Sequence, residues 1–147
     1  MATDSRVNGT RQDTFIVTLK VGTVSYGVWD KKTGGAVDSD DIKYFPGGML
    51  PPISLGGKRT TDNVTLQRNY DRVDDHNKIE ALLAAAGRGA VVITQRPMDP
   101  DGNPSPGKAI QWIGKLKRVE VPDVDSESTT ASLITIEATV SGYPSLA

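Results

Sequence analysis

One stretch limits the possible folds of this chain more than any other. Residues 44–70 read Tyr-Phe-Pro-Gly-Gly-Met-Leu-Pro-Pro-Ile-Ser-Leu-Gly-Gly-Lys-Arg-Thr-Thr-Asp-Asn-Val-Thr-Leu-Gln-Arg-Asn-Tyr. The first part argues against regular structure: Pro46, Pro51 and Pro52 lack amide donors, and Gly47, Gly48, Gly56 and Gly57 tolerate positive φ, so neither a helix nor a ladder is expected to run through them. Yet the same part carries Phe45, Met49, Leu50, Ile53 and Leu55. A long extended loop over about 45–61, roughly twice the usual connection length, is either functional or disordered, and its apolar content argues against disorder. The expectation is an arm that docks on something, with Lys58 and Arg59 at its base facing solvent or pairing with a neighbouring chain.

The second part alternates. Val64, Leu66 and the stem of Arg68 fall on one side, and Asn63, Thr65, Gln67 and Asn69 on the other, which predicts a strand with one wet face. The order Tyr-x-Pro-Gly-Gly, apolar arm, basic pair, Asn-Val-Thr-Leu-x-Arg resembles the tail tube proteins of tailed bacteriophages, relatives of the tubes of contractile injection systems. In that family a glycine-rich segment leads through a loop with an apolar residue and a Pro or Gly into a strand reading Asn-Val-Thr-Leu-Lys/Gln-Arg. The close match covers residues 44–70, and the order of the other elements is compatible over most of the chain.

The resemblance implies a homo-oligomer: hexameric rings stacked into a tube through which genome DNA leaves the capsid, in a virion tail assembled in the host bacterial cytoplasm. Baseplate, terminator, sheath or tape-measure proteins would be its neighbours. Phe45, Met49, Leu50, Ile53, Leu55, Lys58 and Arg59 would contact the next subunit or the next ring. A channel wall must hold DNA weakly, because many phosphate contacts would stop a polymer from sliding. The polar row Asn63, Thr65, Gln67 and Asn69 is therefore the candidate lumen face, its alternative being an outer, solvated sheet face.

The remaining chain reads mostly as strands. Residues 1–13, polar and without periodicity, suggest a flexible arm. Phe15, Val17, Leu19 and Val21 alternate with polar residues over 14–21, and Val24, Tyr26 and Val28 continue over 24–30, a hairpin across Gly22 and Thr23. Residues 31–35, Lys-Lys-Thr-Gly-Gly, read as a turn with solvated lysines. A helix is expected over about 75–87, capped by Asp74, stopped at Gly87, and burying a stripe of Ile79, Leu82, Leu83 and Ala86. The β-branched run at 90–95 and the alternating segments 108–121 and 129–140 are strands, separated by a proline-rich loop at 96–107 and an acidic turn at 122–128; residues 143–147 are a tail. The sum is one mainly β domain over 14–142, an antiparallel sandwich or open barrel with one flanking helix. Strands 14–21, 63–70 and 129–140, free of proline and poor in charge, are candidates for edge-to-edge pairing between copies.

Composition narrows the function classes. With 17 basic and 18 acidic residues the net charge is -1, which leaves no electrostatic footprint for nucleic acid or anionic membrane. There is no cysteine and a single histidine, His76, read as a surface or capping residue. No nucleophile elbow or phosphate-cradling loop precedes a helix, so no catalytic, cofactor or metal residue is assigned and the chain is not expected to be an enzyme. Asp38, Asp40 and Asp41, and likewise Asp99 and Asp101, lack the spacing of a calcium loop. No apolar leader and no membrane span are expected, which fits a soluble protein made in the cytosol. Two alternatives stay open: a carbohydrate- or protein-binding sandwich module, for which Trp29 and Trp112 are the only tryptophans, and a tube or initiator protein of a contractile injection system.

Overall fold

A computed structural model describes residues 9–99 and 101–146. Its frame is an antiparallel sheet of β1 (Phe15–Val21), β2 (Val24–Trp29), β3 (Lys31–Gly34), β8 (Val64–Asn69), β9 (Ala90–Pro97), β10 (Ile110–Glu120), β11 (Leu133–Val140) and the short β12 (Ser145–Leu146). The strand order is β2-β1-β9-β10-β11-β8-β3, with β12 on β10. Strands β2 and β3 are one run of chain broken only at Asp30, yet they stand at opposite ends of this order. The sheet must therefore curl until its two ends approach each other without pairing, giving an open half-barrel. Trp29 pairs with Val17 of β1, and two residues later Lys31 pairs with Gln67 of β8. Asp30 fixes the bend: its amide donates to the Gln67 carbonyl at 3.1 Å and its carboxylate accepts the Asn69 amide at 3.4 Å.

Alternation and register together build the core. Leu19 lies opposite Ile93, Ile93 opposite Trp112, Leu116 opposite Ala138, and Ile136 opposite Leu66, and all are buried on the inner face. A bulge between Leu116 and Arg118 shifts the phase of β10, so the next inward residue is Val119, three positions on instead of two.

The helix α1 (Asp74–Ala85) sends Leu82 into this core and partly buries Ile79 and Ala85. Leu83 and Ala86, expected on the same stripe, are exposed instead. The cap differs too. Asp71, three residues before the helix, accepts the amides of Val73 (2.8 Å) and Asp74 (2.9 Å), and these bonds hold its carboxyl below the usual carboxylate range. Asp75, in the first turn, is buried and receives Arg68. The C-terminal end is as the sequence suggests: Gly87 has φ 88° and donates its amide to the Leu116 carbonyl at 2.7 Å.

Several expectations are overturned. Residues 31–35 are not a turn; Lys31–Gly34 is β3, and Gly34 and Gly35 serve close packing, since a Cβ on Gly34 would lie 2.0 Å from the Asn63 carbonyl oxygen and one on Gly35 would lie 2.8 Å from the Trp112 indole nitrogen. Lys32 is accordingly not solvated at a tip but lies 3.9 Å over the Trp112 ring, where burial lowers its pKa. The tail holds β12, pairing Leu146 with Ile110. The flexible arm expected at 1–13 falls mostly on residues 1–8, outside the described residues; its end, Gln12–Thr14, is a short 3-10 turn. Finally, the three strands expected to offer edges are all interior: β1 lies between β2 and β9, β8 between β11 and β3, β11 between β10 and β8.

Along the meeting line of the two sheet ends, Arg68 substitutes for a backbone ladder. It donates to the Tyr26 and Val28 carbonyls of β2, lies 4.4 Å over the Trp29 ring and pairs with the buried Asp75. Removing one member of a buried pair leaves the other charge uncompensated. Arg68→Met is therefore expected to destabilise the fold by about 3 kcal/mol, read as a lowered midpoint in urea, and Arg68→Met combined with Asp75→Leu to recover part of that loss.

Candidate assembly surface on the hairpin arm

Beyond β3 and β8 the chain continues as a two-stranded arm. Residues 36–62 pair β4 (Val37–Ser39) with β7 (Arg59–Thr61), and then β5 (Lys43–Tyr44) with β6 (Ile53–Ser54). This corrects the expectation that 45–61 holds no ladder. The prolines and the pair Gly47 and Gly48 do confine themselves to the tip at 45–52, but Gly57 acts differently: a Cβ there would meet the Asp40 carbonyl oxygen at 1.8 Å, so glycine is what lets the two strands close. Further bonds bind the strands, from the Leu55 amide to the Ile42 carbonyl (2.7 Å) and from the Asp62 amide to the Ala36 carbonyl (2.9 Å). At its base the arm is tied to the C-terminal segment. Thr61 Oγ1 donates to the Gly142 carbonyl at 2.8 Å, and the Arg59 guanidinium lies 4.0 Å over the Tyr143 ring.

Pairing sorts the arm into two faces. Tyr44 stands opposite Ile53, and Ile42 and Leu55 follow one step back on the same side, while Asp41, Lys43 and Ser54 share the other, where the Ser54 hydroxyl donates to Asp41. All four apolar residues are at least half exposed. At the tip Phe45 is 72 % exposed, Leu50 61 %, and Met49 103 %, with Met49 in the left-handed region at φ 59°. A β-hairpin that turns this much apolar surface to water contains no core of its own; the arm's outer backbone edges are also unpaired, unlike the interior strands of the frame.

The structure thus gathers Phe45, Met49, Leu50, Ile53 and Leu55 on one projecting element, with Lys58 exposed beside it and Arg59 engaged by Tyr143. Ile42 and Tyr44 belong to the same surface and were not singled out in the sequence, although the alternation Asp41, Ile42, Lys43, Tyr44 was the sign of them. The polar row lies elsewhere. Asn63 sits at the arm's base, and Thr65, Gln67 and Asn69 run along the outer face of β8, half-buried apart from Asn69. These side chains bond within the sheet: Asn63 Nδ2 donates to Glu137 Oε1 (3.1 Å) and Gln67 Nε2 to Thr135 Oγ1 (3.3 Å). The Asn63 bond, together with Lys117 at 3.5 Å, holds the Glu137 carboxyl below its ordinary range despite partial desolvation.

Other candidates from the sequence have local roles. Asp99 accepts the amides of Asp101 (3.0 Å) and Asn103 (2.9 Å), an Asx turn, and Asp38 accepts that of Ser39. His76 Nδ1 lies 3.0 Å from the Tyr70 hydroxyl on the surface. Among the described residues no group of three His, Asp or Glu side chains is placed to hold a metal ion, and no helix is long and apolar enough to cross a membrane.

No protein-family model matches the sequence, and no curated protein matches it. Solved structures do share its fold. A chain of the anti-feeding prophage cap, the AFP tube terminating cap, superposes with a TM-score of 0.68 at 15 % identity, covering 100 % of this chain and 94 % of that one. A chain of the anti-feeding prophage baseplate gives 0.69 at 12 %, covering 100 % and 97 %. One from the sheath-tube complex of the PVC extracellular contractile injection system gives 0.62 at 15 %, covering 99 % of each. The fold is therefore the one found in cap, baseplate and sheath-tube assemblies of contractile injection systems, in keeping with the resemblance drawn from residues 44–70.

Because the folded-state pKa of Glu137 is depressed, its contribution to stability is present above the unfolded value and is lost as pH falls through the folded one. In a carboxyl-carbon NMR titration Glu137 should have its midpoint below that of an ordinary glutamate, and Asn63→Ala should move it back up.

Proposed function

We propose that this chain is a structural, non-catalytic tube subunit that self-assembles into hexameric rings, stacked as the tube of a phage-like tail or contractile injection particle. The observation that carries the reading is the arm: a hairpin with one continuous apolar face, projecting from a fold that solved tube-bearing particles also use. Burying each of its large apolar residues on a sister copy would contribute about 1.5–3 kcal/mol before ordering costs, repeated at every contact of a ring. Phe45, Met49, Leu50, Ile53 and Leu55 make that contact, joined by Ile42 and Tyr44, with Lys58 and Arg59 at its polar rim.

The row Asn63, Thr65, Gln67 and Asn69 is the lumen face in this reading. The Asn63 and Gln67 amides are engaged by Glu137 and Thr135, and the Glu137 carboxylate is shared with Lys117, so the row offers a passing polyanion few free donors and little net charge. Genome DNA would cross such a wall without being held. In a particle of this kind the subunit belongs to the tail, next to baseplate, terminator or sheath proteins. The carbohydrate-binding alternative loses the two tryptophans it would have used as a platform, since Trp29 and Trp112 are buried in the core.

Purified protein should form rings or tubes in negative-stain micrographs and sediment well above the monomer. Leu50→Asp with Ile53→Asp should leave a folded monomer with an unchanged far-UV circular dichroism spectrum, because both positions are exposed in the single chain. A wild-type chain that stays monomeric at high concentration would overturn the proposal.

A further inference from the structure

An arm that docks on a sister copy needs a receiving surface, and the frame carries one. Between α1 and the loop after β10, the residues Tyr70, Ile79, Leu83, Val121, Pro122 and Val124 line an open groove of about 420 Å³. Leu83 is 46 % exposed although it stands on a helix beside the core, and Val124 is 97 % exposed. Within one chain Leu83, Val121 and Val124 stay exposed, while Tyr70 and Ile79 are half-buried against the core. We infer that this groove receives the tip of the hairpin arm, Phe45 to Leu50, of a second copy; the inference rests on the assembly reading above and adds the surface at which it happens.

Position argues for this pairing. Strand β8 starts at Val64, at the arm's base, and ends at Asn69, one residue before Tyr70 of the groove. Arm and groove thus stand at opposite ends of a six-residue strand, roughly 20 Å apart at ~3.3 Å per residue. The tip's Phe45, Met49 and Leu50 are exposed and none of them lines the groove, so its own groove does not serve it. Two different patches at opposite ends of one molecule make a heterologous, head-to-tail contact, which repeats from copy to copy.

Charge at the arm's end argues for it as well. The end of the arm, residues 42–58, holds Lys43 and Lys58 and no acidic residue, the arm's four acids (Asp38, Asp40, Asp41 and Asp62) lying toward its base, whereas the stretch 120–128, whose residues 121–124 line the groove, holds Glu120, Asp123, Asp125 and Glu127 and no basic one. Glu120 is shared with Arg118 at 3.2 Å. Asp123 lines the groove itself, where a lysine of the arm's end would meet it: an apolar centre with a polar rim, the anatomy of a specific interface.

The chain has no cysteine, so a disulfide can report the contact cleanly. In a Met49→Cys/Val124→Cys chain, mild oxidation should yield a ladder of covalently linked multimers on a non-reducing gel. An equimolar mixture of the two single variants should give the mixed dimer. Adding Leu83→Asp should weaken the crosslinking by about tenfold or more with the far-UV circular dichroism spectrum unchanged. If the chain assembles, and Leu50→Asp prevents it, but no linkage forms, the tip docks elsewhere: the inference fails and the assembly reading stands. If the double variant links only within single chains, the arm closes on its own groove and the inference fails. If the chain neither assembles nor links, both fall.

Discussion

The curled sheet depends on how its two ends are joined. Backbone ladders hold β1 to β2 and β8 to β3, but where the strand bends at Asp30 the ladder gives out, and Arg68 spans the opening from β8 to the carbonyls of Tyr26 and Val28. A guanidinium suits this task because it presents several donors in a fixed plane and a face that stacks, here on Trp29. Its charge then has to be matched in a dry place, and Asp75 in the first turn of α1 does so. The same ion pair that joins the sheet ends thereby fixes the start of the helix, whose Leu82 in turn completes the core.

The glycines show how one residue type serves opposite ends. At the arm's tip Gly47 and Gly48 accompany a reversal of the chain, in open space with no neighbour within 4 Å of where a Cβ would stand. At Gly34, Gly35 and Gly57 the backbone of the partner strand or the Trp112 ring occupies that space. Read as a string these positions look alike. What separates them is a partner 17 to 77 residues away along the chain, which is why the segments at 31–35 and 53–61 read as turn and loop although they are paired.

The frame was legible wherever alternation met a buried face. Strands β1, β2, β8, β10 and β11 follow from it directly, β9 from its β-branched run, and the helix from its composition and Gly87. The cap was misplaced because Asp71, Asp74 and Asp75 all qualify locally, and only the tertiary arrangement commits Asp71 to the amides and Asp75 to Arg68. Leu83 was assigned to the core by helical spacing, but the helix meets the sheet along a narrower stripe than the spacing allows. The apolar residues of the arm were evident from the start. Their arrangement on one face was not, since it arises from the pairing of Tyr44 with Ile53 across a proline-rich tip.

The continuity of the arm with β3 and β8 has a mechanical consequence. Both strands of the hairpin enter the frame side by side, so tension applied at the tip runs lengthwise into them and is met by the ladder between β8 and β11, whose six residue pairs share it in shear instead of opening one after another. Thr61 and Arg59 add a second anchorage at the root through Gly142 and Tyr143. A particle joined through such arms would stretch as a chain of stiff links, with compliance confined to the few residues at each tip.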